Sequence, residues 1–570
     1  MSEAASQRFS VRSFAAGCLL LFIVALLLRT TGMNWGDVHA DENPSAAAKV
    51  LTGQLIPDVH YYPPLFNYLV AAAYAHLYAL GRVVGWWNSA ESFRAAYFSD
   101  KQTFIWVARL VAACISAATA PIAALLAREL KLPQSRALLI GASVALFSAT
   151  VYWGRIAKGD IGIGPALLLF LLAAVRFRSN PTQISRAIFL GFTIALSLSF
   201  KHSALFFLAP ALAIAALYTA YEMPFRSWLM CWLVAFLATV IFWLPMNIGI
   251  VLDPKGFINA QIVQSQMSIR EWDPIMAAKE WYGGITSIKS GMPWPLLILW
   301  LIAVPISMVL SQSSAFRFGV RLMFFGSLIG IVTVALLAGQ RQPTYLWLPY
   351  STLIITAMLI ALFHFTLSGN KGIQLLATAL ITFTVLAFAA RDVLIIGEAL
   401  AEPLQQKIAL ELKRLPPGSR ILSTIELSSA MNVSSIGEEE VRTRNEKLAA
   451  KYNVALPKMA VESRRGRPDG YVVRPFPFVI GGLEELSERD FKVILPFAWP
   501  IQLEEWKIDY WKRLNYNTFV VVDHGYFVHP VEAYRDFFQA LRKSCQEIAL
   551  ITGSKPLFDQ IDTYIYSCPN

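Results

Sequence analysis

Long apolar stretches, each about the length needed to cross a bilayer, fill the first two thirds of the chain and constrain its fold more than any other feature. A helix of about 20 apolar residues crosses the roughly 30 Å hydrocarbon core. Eleven stretches are predicted to span: Phe14–Leu28, Phe104–Ala127, Ala137–Trp153, Ile161–Val175, Ala187–Phe200, Ser203–Tyr218, Trp228–Val251, Trp294–Leu310, Phe318–Ala338, Tyr345–Thr366 and Ile373–Ala390. Only 15% of residues are charged, against about 25% in soluble domains. The sequence therefore predicts a polytopic α-helical membrane protein and excludes a soluble enzyme.

The distribution of cations predicts which loops face the cytoplasm. The net charge of +11 comes largely from residues that flank apolar stretches, where cations favour the inner side. If the N-terminus is inside and the short stretch Leu65–Leu80 does not cross, the basic loops fall inside, with Arg128, Lys131, Arg136, Arg176, Arg178, Arg186, Arg226, Arg317, Arg321 and Lys371. Residues 34–102 then form an external loop with interfacial helices, and residues 252–293 form a second long external loop. The protein is expected in the cell (inner) membrane.

The composition changes near residue 397 to that of a soluble domain. Residues 1–396 are predicted to form the transmembrane domain and residues 397–570 an extracytoplasmic α/β domain. Four segments have strand patterns and two have helical periodicity: Ser419–Leu427, Tyr471–Ile480, Thr518–Asp523 and Thr563–Ser567 as strands, and Leu404–Leu415 and Val531–Ser544 as helices. Cys545 and Cys568 lie in this domain. Export would permit a disulfide between them, and the sequence leaves that pairing open.

The first external loop carries an adjacent acidic pair, Asp41 and Glu42, close to the end of the first span. A carboxylate at the membrane surface can act as a general base or bind a divalent metal. The alternative is that two acids in an external loop are merely solvated. The loop also holds candidate substrate-binding side chains: His39, His60, Tyr61 and Tyr62.

The external loop between the third and fourth predicted spans is short and charged, with Arg155, Lys158 and Asp160 directly between these two spans. Charges this close to hydrocarbon are costly unless they face a polar cavity, and they mark functional sites. Snorkelling to headgroups is the alternative for the two cations. Arg109 and Lys201 add positive charge at the same predicted side. A phosphate group at the outer leaflet would account for these cations, which points to chemistry on a lipid-linked phosphate.

Four motifs in order carry a resemblance to a known superfamily. They are His39-Ala40-Asp41-Glu42, Tyr62-Pro63-Pro64-Leu65, Arg109-Leu110, and Arg155 followed by Asp160. Together they resemble the glycosyltransferase C (GT-C) superfamily, in the branch of protein O-mannosyltransferases and the aminoarabinose transferase of lipid A. The motifs cover roughly residues 14–220. The chain departs from the family at its late Arg-Tyr motif, where it has Tyr345-Leu346-Trp347-Leu348-Pro349.

The resemblance implies transfer of a sugar from a polyprenyl-phosphate donor to a lipid-, glycan- or protein-linked acceptor outside the membrane, by direct displacement with inversion. It implies Asp41 as the base, with Glu42 and Asp160 orienting the reactants or completing a divalent metal site. The cations implied for the donor phosphate are Arg109, Arg155, Lys158 and Lys201.

Two other functions remain open. A transporter or flippase for lipid-linked sugars would carry ionisable groups near the middle of its spans, whereas here the carboxylates concentrate in loops. A ligase or polymerase using a diphosphate-linked glycan would share the external cations. The sequence identifies neither the sugar nor the acceptor, and it leaves the need for a metal or other cofactor undecided. No nucleic-acid partner is expected.

Overall fold

The computed structural model describes residues 3–33, 42, 44–56, 60, 62–99, 101–268, 292–337, 346–425, 427, 430–431, 433–434, 436–453, 470–475, 503–522, 532–552 and 562–569. The chain folds into two compact units. The first contains Met1–Met33, Asp41–His76 and Trp106–Ile395. The second contains Asn34–Ala40, Leu77–Ile105 and Ile396–Asn570.

The first two thirds of the described chain are almost entirely helical. The helices are α1 Glu3–Thr30, α2 Pro44–Leu51, α3 Leu65–Val84, α4 Ala90–Ser99, α5 Lys101–Ala117, α6 Thr119–Glu129, α7 Gln134–Ala145, α8 Ser148–Trp153, α9 Ile163–Ser179, α10 Ile184–Phe200, α11 Leu205–Glu222, α12 Phe225–Met246, α13 Ile248–Leu252, α14 Pro254–Ser268, α15 Trp294–Leu310, α16 Ser314–Leu337, α17 Leu348–Phe365 and α18 Lys371–Ala399. Short 3₁₀ turns, Gly159–Gly162 and His202–Ala204, precede α9 and α11.

Among the described residues, eight helical segments are long and apolar enough to cross a membrane, and α10 and α15 are shorter apolar helices. The predicted fold class, a polytopic membrane protein, is confirmed. Helix α17 is buried along nearly its whole length at the centre of the helical unit. Helices α1, α12 and α18 keep most of their surface exposed, as expected for helices that face lipid.

Two predicted spans are interrupted in the structure, whereas Phe104–Ala127 forms α5 and α6 within one nearly continuous helical segment. The stretch Ala137–Trp153 forms α7 and α8, which are separated by Leu146 and an extended Phe147. The stretch Trp228–Val251 ends its long helix at Met246. There the Asn247 amide donates hydrogen bonds to Ser199 Oγ at 2.6 Å and to the carbonyl of Trp243 at 3.0 Å. A side chain that bonds to nearby backbone competes with the helical pattern, so the helix stops at this residue.

The C-terminal part forms the predicted α/β domain. Helices α19 Leu404–Leu412, α20 Ile436–Tyr452, α21 Ile508–Arg513 and α22 Glu532–Ser544 accompany five strands, β1 Arg420–Ser423, β2 Val472–Pro475, β3 Thr518–Val522, β4 Gln546–Ile551 and β5 Thr563–Ser567. The sheet order is β2-β1-β3-β5-β4. Strands β2, β1 and β3 are parallel, and β5 pairs antiparallel with β3 and β4. A disulfide joins Cys545 to Cys568, with 4.3 Å between their Cα atoms.

The core of this domain lies on both faces of the sheet. Trp511, Phe519, Phe537 and Tyr566 pack together in one buried cluster, and Ile408, Ile421 and Val520 belong to the other. Every residue of β3 is buried, as expected for the central strand of a sheet covered on both faces.

Candidate active site

Glu42 is held in a buried clamp. Arg109 donates from Nε to Glu42 Oε1 at 2.8 Å and from Nη2 to Oε2 at 2.7 Å, and its Nη1 donates to the carbonyl of Met33 at 2.7 Å. The backbone N–H of Ala157 adds a further hydrogen bond to Glu42 Oε1 at 2.8 Å. Paired, bidentate contacts of this kind fix both partners in orientation. The clamp therefore joins the segment after α1, helix α5 and the loop after α8.

Asp160 lies between two lysines. Lys201 Nζ forms an ion pair and hydrogen bond with Asp160 Oδ1, and Lys158 Nζ lies 3.6 Å from Oδ2. Asp160 and Lys158 are buried, with exposed fractions of 3% and 6%, and Lys201 is partly buried, with 13% exposed. The lysine cluster (Lys158, Asp160 and Lys201) therefore places two ammonium groups around one buried carboxylate.

Local backbone geometry brings the lysine cluster together. Helix α10 ends at Phe200, and Lys201 is extended, with φ −164° and ψ 136°, so its side chain leaves the helical pattern. Gly162 allows the 3₁₀ turn to approach this helix end, because a Cβ there would lie 2.2 Å from the ring of Phe200. A larger residue would push Asp160 away from Lys201.

An aromatic ring and an apolar wall adjoin the lysine cluster. The ring centroid of Tyr62 lies 5.8 Å from Lys158 Nζ and 5.5 Å from Lys201 Nζ, within the range of cation–π attraction. A small pocket at the cluster is lined on its apolar side by Ile163, Leu167 and Leu346. A cationic end beside an apolar wall suits a phosphate attached to a hydrocarbon chain.

A second polar contact, which is partly buried, lies near Tyr62 in the sequence. His60 Nε2 donates to Asp253 Oδ2 at 2.9 Å, and the imidazole is only 5% exposed. The hydrogen bond from His60, followed by one from the backbone N–H of Gly256 at 3.0 Å, lowers the pKa of the Asp253 carboxyl. Asp253 therefore stays ionised and keeps the His60 N–H directed toward it.

The other predicted site residues are placed as follows. Arg155 donates from Nη2 to the carbonyl of Leu28 at 2.9 Å and is buried. His39, Asp41 and Tyr61 lie outside the described residues. The structure thus brings Glu42 to Arg109, and Asp160 and Tyr62 to the two lysines.

Two charged contacts, one fully buried and one partly buried, were not anticipated from the sequence. Arg29 is fully buried, and it donates to Ser116 Oγ at 2.7 Å and to Thr150 Oγ1 at 2.8 Å. Asp253 is the partner of His60. Both residues stand at the end of a predicted span, and that position was the signal that could have identified them.

The described carboxylates do not fit a divalent metal site. Both oxygens of Glu42 accept hydrogen bonds from a guanidinium, and Asp160 lies between two ammonium groups. A metal would have to displace these cations. Within the described ranges, no cluster of three or more His, Cys, Asp or Glu side chains could hold a metal ion.

The fold and the site together define a polytopic membrane protein with buried charge at the ends of its helices. Its structure is similar to the crystal structure of ArnT from Cupriavidus metallidurans bound to undecaprenyl phosphate, with 12% sequence identity, a TM-score of 0.48 and coverage of 97% of both chains. It is also similar to ArnT from Cupriavidus metallidurans in the apo state, with 12% sequence identity, a TM-score of 0.47 and coverage of 97% of this chain and 98% of that one. The archaeal oligosaccharyltransferase AglB from Archaeoglobus fulgidus, in complex with an inhibitory peptide and a dolichol-phosphate, matches at 13% identity, with a TM-score of 0.42 and coverage of 90% of this chain and 69% of that one.

With TM-scores of 0.42–0.48, these likenesses do not assign the chain to a family. At 12–13% identity they assign no role to individual residues of this chain. No protein-family profile matches the sequence, and no curated protein matches it at a significant level.

Proposed function

We propose that the chain is a membrane glycosyltransferase that moves a sugar from a polyprenyl-phosphate donor to a lipid-, glycan- or protein-linked acceptor on the outer side of the membrane. The lysine cluster is the observation that carries the proposal. Its two ammonium groups lie beside the apolar wall formed by Ile163, Leu167 and Leu346. A phosphate on a polyprenyl chain satisfies both features at once.

The reaction is a direct displacement at the anomeric carbon. The acceptor oxygen bonds to this carbon as the bond to the donor phosphate oxygen breaks, and the configuration inverts. The acceptor proton passes to a base, for which we propose Asp41, and the lipid phosphate leaves with the bonding electrons. Lys158 and Lys201 stabilise the charge that grows on that phosphate.

The remaining site residues support this arrangement. The Arg109 guanidinium is engaged by Glu42 and Met33. We therefore assign Glu42 and Arg109 to holding the segment that carries Asp41. We assign the donor phosphate to Lys158 and Lys201, with Arg155, in the loop after α8, as a further cation. Asp160 orients the two lysines. His39, Tyr61 and Tyr62 are assigned to the substrate side of the site, whereas His60, which is hydrogen-bonded to Asp253, is assigned to holding that segment.

The proposal is tested with purified protein in nanodiscs. Binding of undecaprenyl phosphate and its release from undecaprenyl-phosphate-linked sugars are measured for wild type, Lys201→Ala and Asp41→Asn. Removing a charge-assisted hydrogen bond costs about 1.5–3 kcal/mol, so Lys201→Ala should bind about one to two decades more weakly. Asp41→Asn should bind normally and turn over about 10²–10⁴-fold more slowly.

Lys371→Ala is the matched control, because it removes one lysine charge from an exposed position at the start of α18. Wild-type protein that neither binds undecaprenyl phosphate nor releases it from any donor contradicts the proposal. Equal binding by wild type and Lys201→Ala removes Lys201 from the donor site. Near-wild-type turnover by Asp41→Asn removes Asp41 from the role of base.

A further inference from the structure

Helix α14 and Asp253, the residue before it, form two hydrogen bonds with His60. The imidazole donates to Asp253 Oδ2 at 2.9 Å, and the Gln261 amide donates to the carbonyl of His60 at 3.1 Å. Asp253 also caps the helix, because its Oδ1 accepts the backbone N–H of Gly256 at 3.0 Å. One helical element therefore holds both the side chain and the backbone of His60.

The same helix packs against the residue that follows Lys201. Phe257, in the first turn of α14, meets the ring of His60 edge-on at 6.4 Å between centroids. It meets the ring of His202 edge-on at 5.0 Å. The His60 segment and the Lys201 segment are thus packed against one phenyl ring.

Tyr62 follows His60 by two residues and lies over both lysine ammonium groups. A fixed backbone two residues earlier helps to keep the ring there, because it reduces the conformational entropy that is lost when the ring is held in place. Because His60 is nine-tenths buried and held at two atoms, it supplies the fixed point.

We propose that Asp253 is a positioning residue, which acts through His60 to hold Tyr62 over Lys158 and Lys201. Helix α14, which contributes none of the lysine cluster, thereby sets how tightly the cluster binds a lipid-linked phosphate. This inference rests on the proposed donor and deepens it. It assigns Asp253, His60 and Gln261 to positioning and Tyr62 to the wall of the phosphate site.

Side-chain length separates this role from simpler ones. Asp253→Asn keeps the side-chain length but removes the charge: its oxygen can accept the Gly256 N–H and cap α14, while its amide nitrogen donates to His60 Nε2 in the other imidazole tautomer. Asp253→Ser keeps a good helix cap but is too short to reach His60. In the same way, His60→Gln places an amide nitrogen near the position of Nε2, whereas His60→Asn ends short of Asp253.

The test is binding of undecaprenyl phosphate to the full-length protein in nanodiscs. Asp253→Ser and His60→Asn should bind about tenfold more weakly, the effect of losing a desolvated cation–π contact. Asp253→Asn and His60→Gln should stay within about threefold of wild type. In a Tyr62→Leu background, Asp253→Ser should have no further effect, because the ring that it positions is gone.

Several results would overturn the inference. Wild-type binding by Asp253→Ser means that Asp253 only caps the helix. Equal losses in Asp253→Asn and Asp253→Ser mean that its charge acts directly. Additive losses in Tyr62→Leu mean that Asp253 does not act through Tyr62. If wild type binds undecaprenyl phosphate and all four variants match it, only the positioning role fails, whereas absence of wild-type binding removes the proposed donor as well.

Discussion

Single residues at this site are defined by partners that are distant in sequence. In the sequence, Arg109 is a single cation near the start of a predicted span, and this position suggests that it binds a phosphate. Folding brings it Glu42 from 67 positions away. The types and approximate positions of the charged residues could be predicted from the cost of charge near hydrocarbon. Their pairing could not, because it depends on which helix ends meet.

The Glu42 clamp gives a prediction at the residue scale. Glu42→Gln keeps the side-chain shape but leaves the buried Arg109 without its carboxylate. Breaking a buried ion pair from one side costs about 3–5 kcal/mol, so chemical denaturation in detergent should show a loss of this order. Adding Arg109→Met to Glu42→Gln should restore part of the lost stability, because the uncompensated charge is then removed.

The pair of Glu129 and Arg176 provides the control for that prediction. Its atoms are 3.3 Å apart and both side chains are partly exposed, so Glu129→Gln should cost at most about 1 kcal/mol. Equal losses in Glu42→Gln and Glu129→Gln would mean that burial does not govern the Glu42 contact.

At the scale of elements, helix packing positions Lys201. Helices α10 and α12 meet at Gly191, where a Cβ would lie 2.3 Å from the carbonyl oxygen of Ala235 and 2.7 Å from the Cβ of Ala238. Small residues let helices approach closely in a membrane. The hydrogen bond from Asn247 to Ser199 fixes the same pair near its end, just before the lysine.

This packing predicts a defect at a distance in Gly191→Leu. The larger side chain separates α10 from α12, and over-packing of this kind costs about 1–3 kcal/mol or more. We expect a lower melting temperature together with weaker binding of undecaprenyl phosphate, since Lys201 follows α10 directly. Ile188→Phe adds volume at a partly exposed position of the same helix and should change neither quantity. Unchanged binding in a destabilised Gly191→Leu would separate α10 packing from the lysine cluster.

At the scale of the whole molecule, most elements were predictable because each has a strong periodic or apolar pattern. Each of the eleven predicted spans overlaps helix within the described residues, but only eight helical segments there are long and apolar enough to cross a membrane. The strands β1, β2, β3 and β5 fall within predicted segments. Strand β4 was missed because it is an edge strand, Gln546–Ile551, with mostly exposed residues. The helix interruptions at Phe147 and Asn247 were also missed. They depend on local backbone geometry and on tertiary hydrogen bonding, and neither of these leaves a gap in the apolar pattern of the sequence.

Orientation in the membrane is the remaining property of the whole molecule, and the cation distribution predicts it. With the N-terminus inside and Leu65–Leu80 not crossing, alkaline phosphatase fused after Val83 or after Asn515 should be active, since both positions lie outside. Fusion after Lys131, in a predicted cytoplasmic loop, should be inactive, and green fluorescent protein should give the reverse pattern. If Leu65–Leu80 crossed, the basic loops that follow it would face outward against the positive-inside preference. A cytoplasmic signal at Val83 would therefore reverse the sidedness of every later loop, including those that carry Asp160 and Lys201. A cytoplasmic signal at Asn515 alone would place the C-terminal domain on the opposite side of the membrane from the site.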